Sequence, residues 1–137
     1  MYNFPKYYDI PSPEEFAFGR SEIKLVALSY KTTEIEQKLL DNIIKATGLQ
    51  SSEIAHIIKN EESELHIRDV LNRARPEHLL IFGIKPSSIG LHIKCGSYTP
   101  IRINKSNLCI CDNLKDLQMN KKAKMKLWSL LKHWFQS

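Results

Sequence analysis

Cysteine is scarce in this sequence of 137 residues: Cys95, Cys109 and Cys111 are odd in number and lack the Cys-x-x-Cys spacing of a zinc or thioredoxin-like site. Reduced thiols in a cytosolic protein are the expectation. The five glycines are scattered, with no phosphate-cradling cluster among them. The turn after the first expected strand is Tyr30-Lys31-Thr32-Thr33, which offers no backbone nest for a dinucleotide. The histidines His56, His66, His78, His92 and His133 have no ligand spacing such as His-x-x-x-His, so no metal and no cofactor is expected. No apolar run approaches the roughly 20 residues of a bilayer-spanning helix. The N-terminal residues lack the basic start and apolar centre of a signal peptide. The chain reads as cytoplasmic, with no membrane partner.

What is present describes one globular domain. The hydrophobic fraction is 42% and the charged fraction 26%, ordinary values for a folded protein of a size that supports a single core. A formal charge of +5 is compatible with an acidic partner or phosphate contact, and equally with solubility alone.

The most uniformly apolar stretch is His78-Leu79-Leu80-Ile81-Phe82-Gly83, which reads as a strand covered on both faces, because strands buried on both sides do not alternate. Ile23-Lys24-Leu25-Val26-Ala27-Leu28-Ser29 would lie beside it. Thr33 followed by Glu36 matches a capping box. From there Ile35, Leu39, Leu40, Ile43 and Ile44 recur at helical spacing up to a stop at Gly48. Residues 54–58 make a further strand. Asn60 is placed to cap the next helix, with Glu61, Glu62 and Glu64 near its positive end. The core stripe of that helix is Ile67, Val70, Leu71 and Ala74, ending before Pro76.

Strand, helix, strand, helix and strand in this order imply parallel pairing with right-handed crossovers. Pro86 and Gly90 frame a short helical turn, and a less regular stretch follows to Ser106. Residues 107–111 form a last strand, with Leu108 and Ile110 on one face and Cys109 and Cys111 on the other. Asp112-Asn113 reads as the turn that ends it. A final helix over 120–135 buries Leu127, Leu130, Leu131, Trp134 and Phe135, with Trp128 at the margin. Lys121, Lys122, Lys124 and Lys126 crowd its first two turns. Lysines at the positive end of a helix dipole cost a few tenths of a kcal/mol each, so an external acidic partner would explain them; the bland alternative is a solvated basic face.

Residues 1–20 differ in texture and form an aromatic and proline-rich extension to a single α/β domain over 21–137. They hold Tyr2, Tyr7, Tyr8, Phe4, Phe16 and Phe18 with Pro5, Pro11 and Pro13, and show no helical or strand period. Such a segment either packs on its own domain or orders on a partner.

The stretch Leu114-Lys115-Asp116-Leu117-Gln118-Met119-Asn120, continued to Leu127-Trp128, resembles the Leu-x-x-Leu-x-x-(Asn/Asp) and closing Leu-Trp pattern of the psi subunits of bacterial DNA polymerase III holoenzyme, small proteins of the clamp-loader complex. Ile23-Lys24-Leu25-Val26 and Leu49-Gln50-Ser51-Ser52-Glu53-Ile54 lie in the matching order. The resemblance implies a three-layer α/β/α domain with a small, mostly parallel four-stranded sheet, related in fold to uracil-DNA glycosylases but without catalysis. Where those glycosylases carry a Gly-Gln-Asp-Pro-Tyr water-activating loop, this chain has Tyr30-Lys31-Thr32-Thr33. The resemblance also implies that an N-terminal peptide docks on clamp-loader subunits. The folded domain would bind a chi-like subunit, which links it indirectly to single-stranded DNA-binding protein and DNA.

On that reading Phe4, Tyr7, Tyr8 and Phe16 are the expected anchors of the tail, since buried aromatics dominate binding energy. Lys121, Lys122 and Lys124 mark a second contact on the final helix. Two rival expectations are a glycosylase-fold enzyme with a rearranged site around Lys31, His92 and Asp112, and a single-stranded nucleic-acid binder using the lysines of the final helix.

Overall fold

The computed structural model describes residues 23–60, 64–92 and 96–135, together with the backbone of residues 6–8. In chain order the strands are β1 (Lys6–Tyr8), β2 (Leu25–Tyr30), β3 (Ile54–Lys59), β4 (His78–Phe82), β5 (Ile101–Ile103) and β6 (Ser106–Cys111). The helices are α1 (Glu34–Thr47), α2 (Ile67–Ala74), α3 (Leu114–Met119) and α4 (Lys121–Phe135), with short 3-10 turns at Ser51–Glu53 and Pro86–Ile89. The sheet order is β1-β3-β2-β4-β6-β5. Every pair is parallel except β5 with β6. The sheet therefore has six strands, not the four expected: five within 25–111, and a sixth from the N-terminal segment.

Alternation along the strands divides the core in two. Leu25, Ala27, Leu80, Phe82, Cys109 and Cys111 point to one side, where α1, α3 and α4 cover them. Val26, Leu28, Ala55, Ile57, Leu79, Ile81, Leu108 and Ile110 point to the other, against Ile67, Val70, Leu71 and Ala74 of α2 and Ile89 of the second 3-10 turn. This is a three-layer α/β/α domain. Strand β4 lies between β2 and β6 and is buried along its whole length, which explains its unbroken apolar sequence: each of its large side chains contributes about 1.5–3 kcal/mol of burial.

Helix α1 starts as its capping box dictates. The Thr33 hydroxyl accepts from the Glu36 amide at 3.3 Å, and the Glu36 carboxylate accepts from the Thr33 amide at 2.9 Å. Thr33→Ala should lower stability by about 1 kcal/mol, read as a lower urea midpoint at unchanged slope. Gly48 ends the helix at φ +73°. Ile35, placed in the buried stripe by its spacing, is instead 64% exposed, because in the first turn of α1 it precedes the part of the helix that the sheet covers.

Asn60 is not the cap of α2. The helix opens at Ile67, and His66 at the cap position makes no capping bond with its side chain. Leu65 is buried just before it, so the entry is set by apolar packing. Glu64 is exposed ahead of the helix; Glu61 and Glu62 lie outside the described residues.

The irregular stretch before Ser106 contains β5, which turns through Asn104 at φ +55° and pairs antiparallel with β6. The N-terminal extension, read as aperiodic, contributes β1, its three residues in parallel register with Ala55, His56 and Ile57 of β3. The rest of residues 1–20, Phe4 and Phe16 included, lies outside the described residues.

Candidate interaction surface

The C-terminal motif builds a helical corner. Asn113 caps α3, its side-chain oxygen accepting from the Asp116 amide at 2.8 Å, and Leu114 and Leu117 go into the core beneath it. Asn120 then starts α4: its side-chain oxygen accepts from the Ala123 amide at 3.1 Å, and its carbonyl accepts from the Lys124 amide at 3.0 Å. Ala123, Leu127, Leu130 and Leu131 bury the inner side of α4. Each leucine and the asparagine of the Leu-x-x-Leu-x-x-Asn…Leu-Trp pattern thus has a structural task. Trp128 alone remains at the surface, 38% exposed.

The outer side of α4 is basic and partly apolar. The helix has five lysines, Lys121, Lys122, Lys124, Lys126 and Lys132, and no carboxylate. The net charge of the whole chain is +5, so the remainder is balanced and the excess resides on this helix. Between described residues Lys24 and Glu53 form an ion pair at 3.0 Å, and no lysine of α4 pairs with a described carboxylate. Lys121, Met125, Trp128 and Lys132 follow the i, i+4, i+7, i+11 spacing of one helix face; Met125 is 62% exposed, and Lys124 at its margin is half-buried.

Two shallow hollows border the helix. One, of about 600 Å³, is lined by Asp112, Asp116, Met119, Asn120, Lys121 and Lys122. The other, of about 580 Å³, lies between Tyr98 and the Met125, Lys126, Ser129 and His133 side of α4. The far end of α4 is clamped to the start of β4, where Trp134 stacks on His78 at 4.4 Å and Phe135 meets it edge-on at 4.7 Å. Burial holds His78 below the usual histidine range.

The carboxyl ends of the strands, where open α/β sheets hold ligands, are occupied by structural bonds. Thr33 is spent on its cap. Thr32 donates to Gln37, which donates to Asp41. Lys31 is exposed. His92 and Asp112, grouped in the rearranged site of the rival enzyme expectation, have different surroundings. Asp112 accepts from the Tyr98 hydroxyl at 3.0 Å, and that hydroxyl accepts from the Asp112 amide at 3.2 Å. His92 is exposed and follows Leu91, which belongs to the core on the opposite face of the sheet. Burial pushes the Tyr98 phenol well above its ordinary pKa, and its backbone sits at φ +62°.

A buried polar pair was not foreseen. Ser29 Oγ and His56 Nε2 are 2.6 Å apart beneath α1. The Ser29 hydroxyl is also placed to donate to the Tyr30 carbonyl at 2.9 Å, and which partner donates between serine and imidazole is set by the histidine tautomer. Burial lowers the His56 pKa to about 4. A nucleophilic serine needs access to substrate; Ser29 is only 2% exposed and His56 not at all. The sequence signal, a histidine inside an apolar strand, is visible, but its partner depends on strand register.

Cys109 and Cys111 are free, buried and 4.0 Å apart at sulfur; Cys95 lies outside the described residues. Among the described residues no group of three or more His, Cys, Asp or Glu side chains is arranged to hold a metal ion, and no helix is long and apolar enough to cross a membrane. A scan of protein-family models and a search of curated proteins find no match for this chain.

Proposed function

We propose that this chain is a non-catalytic accessory subunit of a replication assembly, similar to the psi subunits of the bacterial clamp loader, in which the α/β/α domain is a scaffold and the N-terminal segment and α4 are contact surfaces. The observation that carries the reading is the division of labour in the C-terminal motif. Its leucines and asparagine build the α3–α4 corner, while its tryptophan is left outside among unpaired lysines. A residue type that contributes strongly to binding when covered is thereby held on a helix capped by Asn120 at its start and packed on His78 at its end. The strand ends support the same reading, since Thr33, Asp112 and Asn113 are committed to caps and to Tyr98.

The N-terminal segment would supply the clamp-loader contact through Phe4, Tyr7, Tyr8 and Phe16. Among the described residues, 6–8 pair with one neighbouring strand at the sheet edge, and a ladder of three residues is short enough to be exchanged for a partner. A chi-like subunit would bind the folded domain and connect it to single-stranded DNA-binding protein.

The test is an affinity pull-down from lysate of the source cell with the full chain and with Tyr7→Ala/Tyr8→Ala. Clamp-loader subunits should be retained by the full chain and reduced about tenfold or more in the double variant, as loss of two aromatic anchors implies. Unchanged recovery in the variant rejects the role of the tail. No clamp-loader subunit with the full chain rejects the replication reading.

A further inference from the structure

We infer that the outer face of α4 is a docking site for a short acidic segment of a protein partner, one that carries a large apolar side chain among its carboxylates. Three features of this helix specify the occupant. The first is charge: five lysines without a carboxylate on the helix and without an ion pair among the described residues attract a chain of the opposite sign. Asp112 and Asp116 share a hollow with Lys121 and Lys122 and temper the charge at that end, but they bond to Tyr98 and Asn113 and form no ion pair with a lysine of the helix.

The second is the apolar content of the same face. Trp128 and Met125 are exposed between Lys121 and Lys132, so a bound segment would cover one rigid aromatic and one adaptable thioether side chain while its carboxylates meet lysines on both sides. The third is rigidity. Asn120 caps the helix at its start, and Trp134 stacked on His78 with Phe135 edge-on to it fixes its end, so the face is preorganised and little ordering opposes binding.

The pattern fits a peptide better than single-stranded nucleic acid. Binding of bases uses successive aromatic platforms along a basic groove, whereas this face presents one aromatic ring on a convex helix. The hollow beside Met125, between α4 and Tyr98, is the place for the apolar side chain of the peptide.

The inference shares with the replication reading only the premise that α4 is a contact surface. The pull-down alters the tail and leaves α4 intact, so either idea can fail alone. The experiment is a fluorescence-anisotropy titration of the full chain into a labelled synthetic peptide of Asp and Glu with one Phe and one Leu. The same peptide with Lys in place of its carboxylates, and a thymidine oligonucleotide, are run in parallel. Binding of the acidic peptide is expected, weakened about tenfold or more by Trp128→Ala and by Lys121→Glu/Lys132→Glu, and unchanged by Lys85→Glu on a distant turn. Circular dichroism identifies any variant that has lost its fold, and Trp128→Phe, which keeps an aromatic ring, should retain most of the affinity. The inference is overturned if the acidic peptide binds no better than the lysine peptide, if Trp128→Ala folds and binds normally, or if the oligonucleotide binds more tightly than the peptide.

Discussion

Gly83→Ala is expected to abolish folding or to lower stability by about 3 kcal/mol or more, a larger loss than the same change at Gly48, Gly90 or Gly96 should cause. Gly83 closes β4 at φ +69°, and a Cβ built there would lie 2.4 Å from Asn113 Cβ and 2.7 Å from Asn113 Cα. The left-handed backbone alone disfavours an L-residue by roughly 1–2 kcal/mol. The overlap is with backbone as well as side chain and has no flexible group to absorb it, which adds roughly 1–3 kcal/mol of overpacking. Asn113 is also the cap of α3 and accepts from the Asp116 amide, so displacing it disturbs the α3–α4 corner. The control is Gly48→Ala. Gly48 has nearly the same φ, +73°, but nothing within 4 Å of the added methyl, so only the conformational cost of about 1–2 kcal/mol applies. Urea unfolding of both variants separates the two contributions: equal losses would mean that the approach of Asn113 to Gly83 is not as close as described.

That contact illustrates why part of this fold is legible in the sequence and part is not. Local signals were sufficient for α1, whose capping box and terminal glycine are short-range features, and for β4, whose apolar run reports burial on both faces. The stripe of α2 was visible, but its start was not: Asn60 and three glutamates form a plausible cap, while the helix begins where Leu65 and Ile67 can reach the core. Strand β5 spans three residues and α3 six, too short for a period to emerge. Strand β1 exists because the edge of β3 accepts it, which nothing between Pro5 and Pro11 announces.

The candidate surface was half visible. Lysines at the start of the last helix can be counted in the sequence, and the Leu-Trp pattern can be read. The helical period also puts Trp128 at the margin of the buried stripe, and its 38% exposure agrees; how far it stands out depends on how α4 rolls against α1 and the sheet. The pairing of Ser29 with His56 likewise required the register of β2 against β3, where Ser29 is opposite Ile58 and His56 opposite Ala27, a diagonal relation that neither strand encodes alone.

His56 makes the second large effect, a loss of stability in mild acid. Its folded pKa is depressed to about 4 by burial, whereas in the unfolded chain it should titrate near 6.5. Above pH ~6.5 both states are neutral and the site has no pH dependence. Between ~6.5 and ~4 the unfolded chain takes up a proton that the native imidazole refuses, so unfolding becomes easier by about 1.4 kcal/mol per pH unit. The stability present above the unfolded pKa is therefore lost as pH falls through this window, by about 2 kcal/mol at pH ~5 and about 3 kcal/mol at pH ~4. Burial also lowers His78, which steepens the decline in the same direction. Glu53, held down by the Gln50 amide and by Lys24, acts in a more acidic window. His56→Gln keeps a hydrogen-bonding group for Ser29 Oγ but cannot titrate, so urea unfolding of this variant at pH ~7.5 and ~5 should show less than half of the wild-type difference. An undiminished difference would assign the acid sensitivity to other groups and would mean that His56 can accept a proton beneath α1.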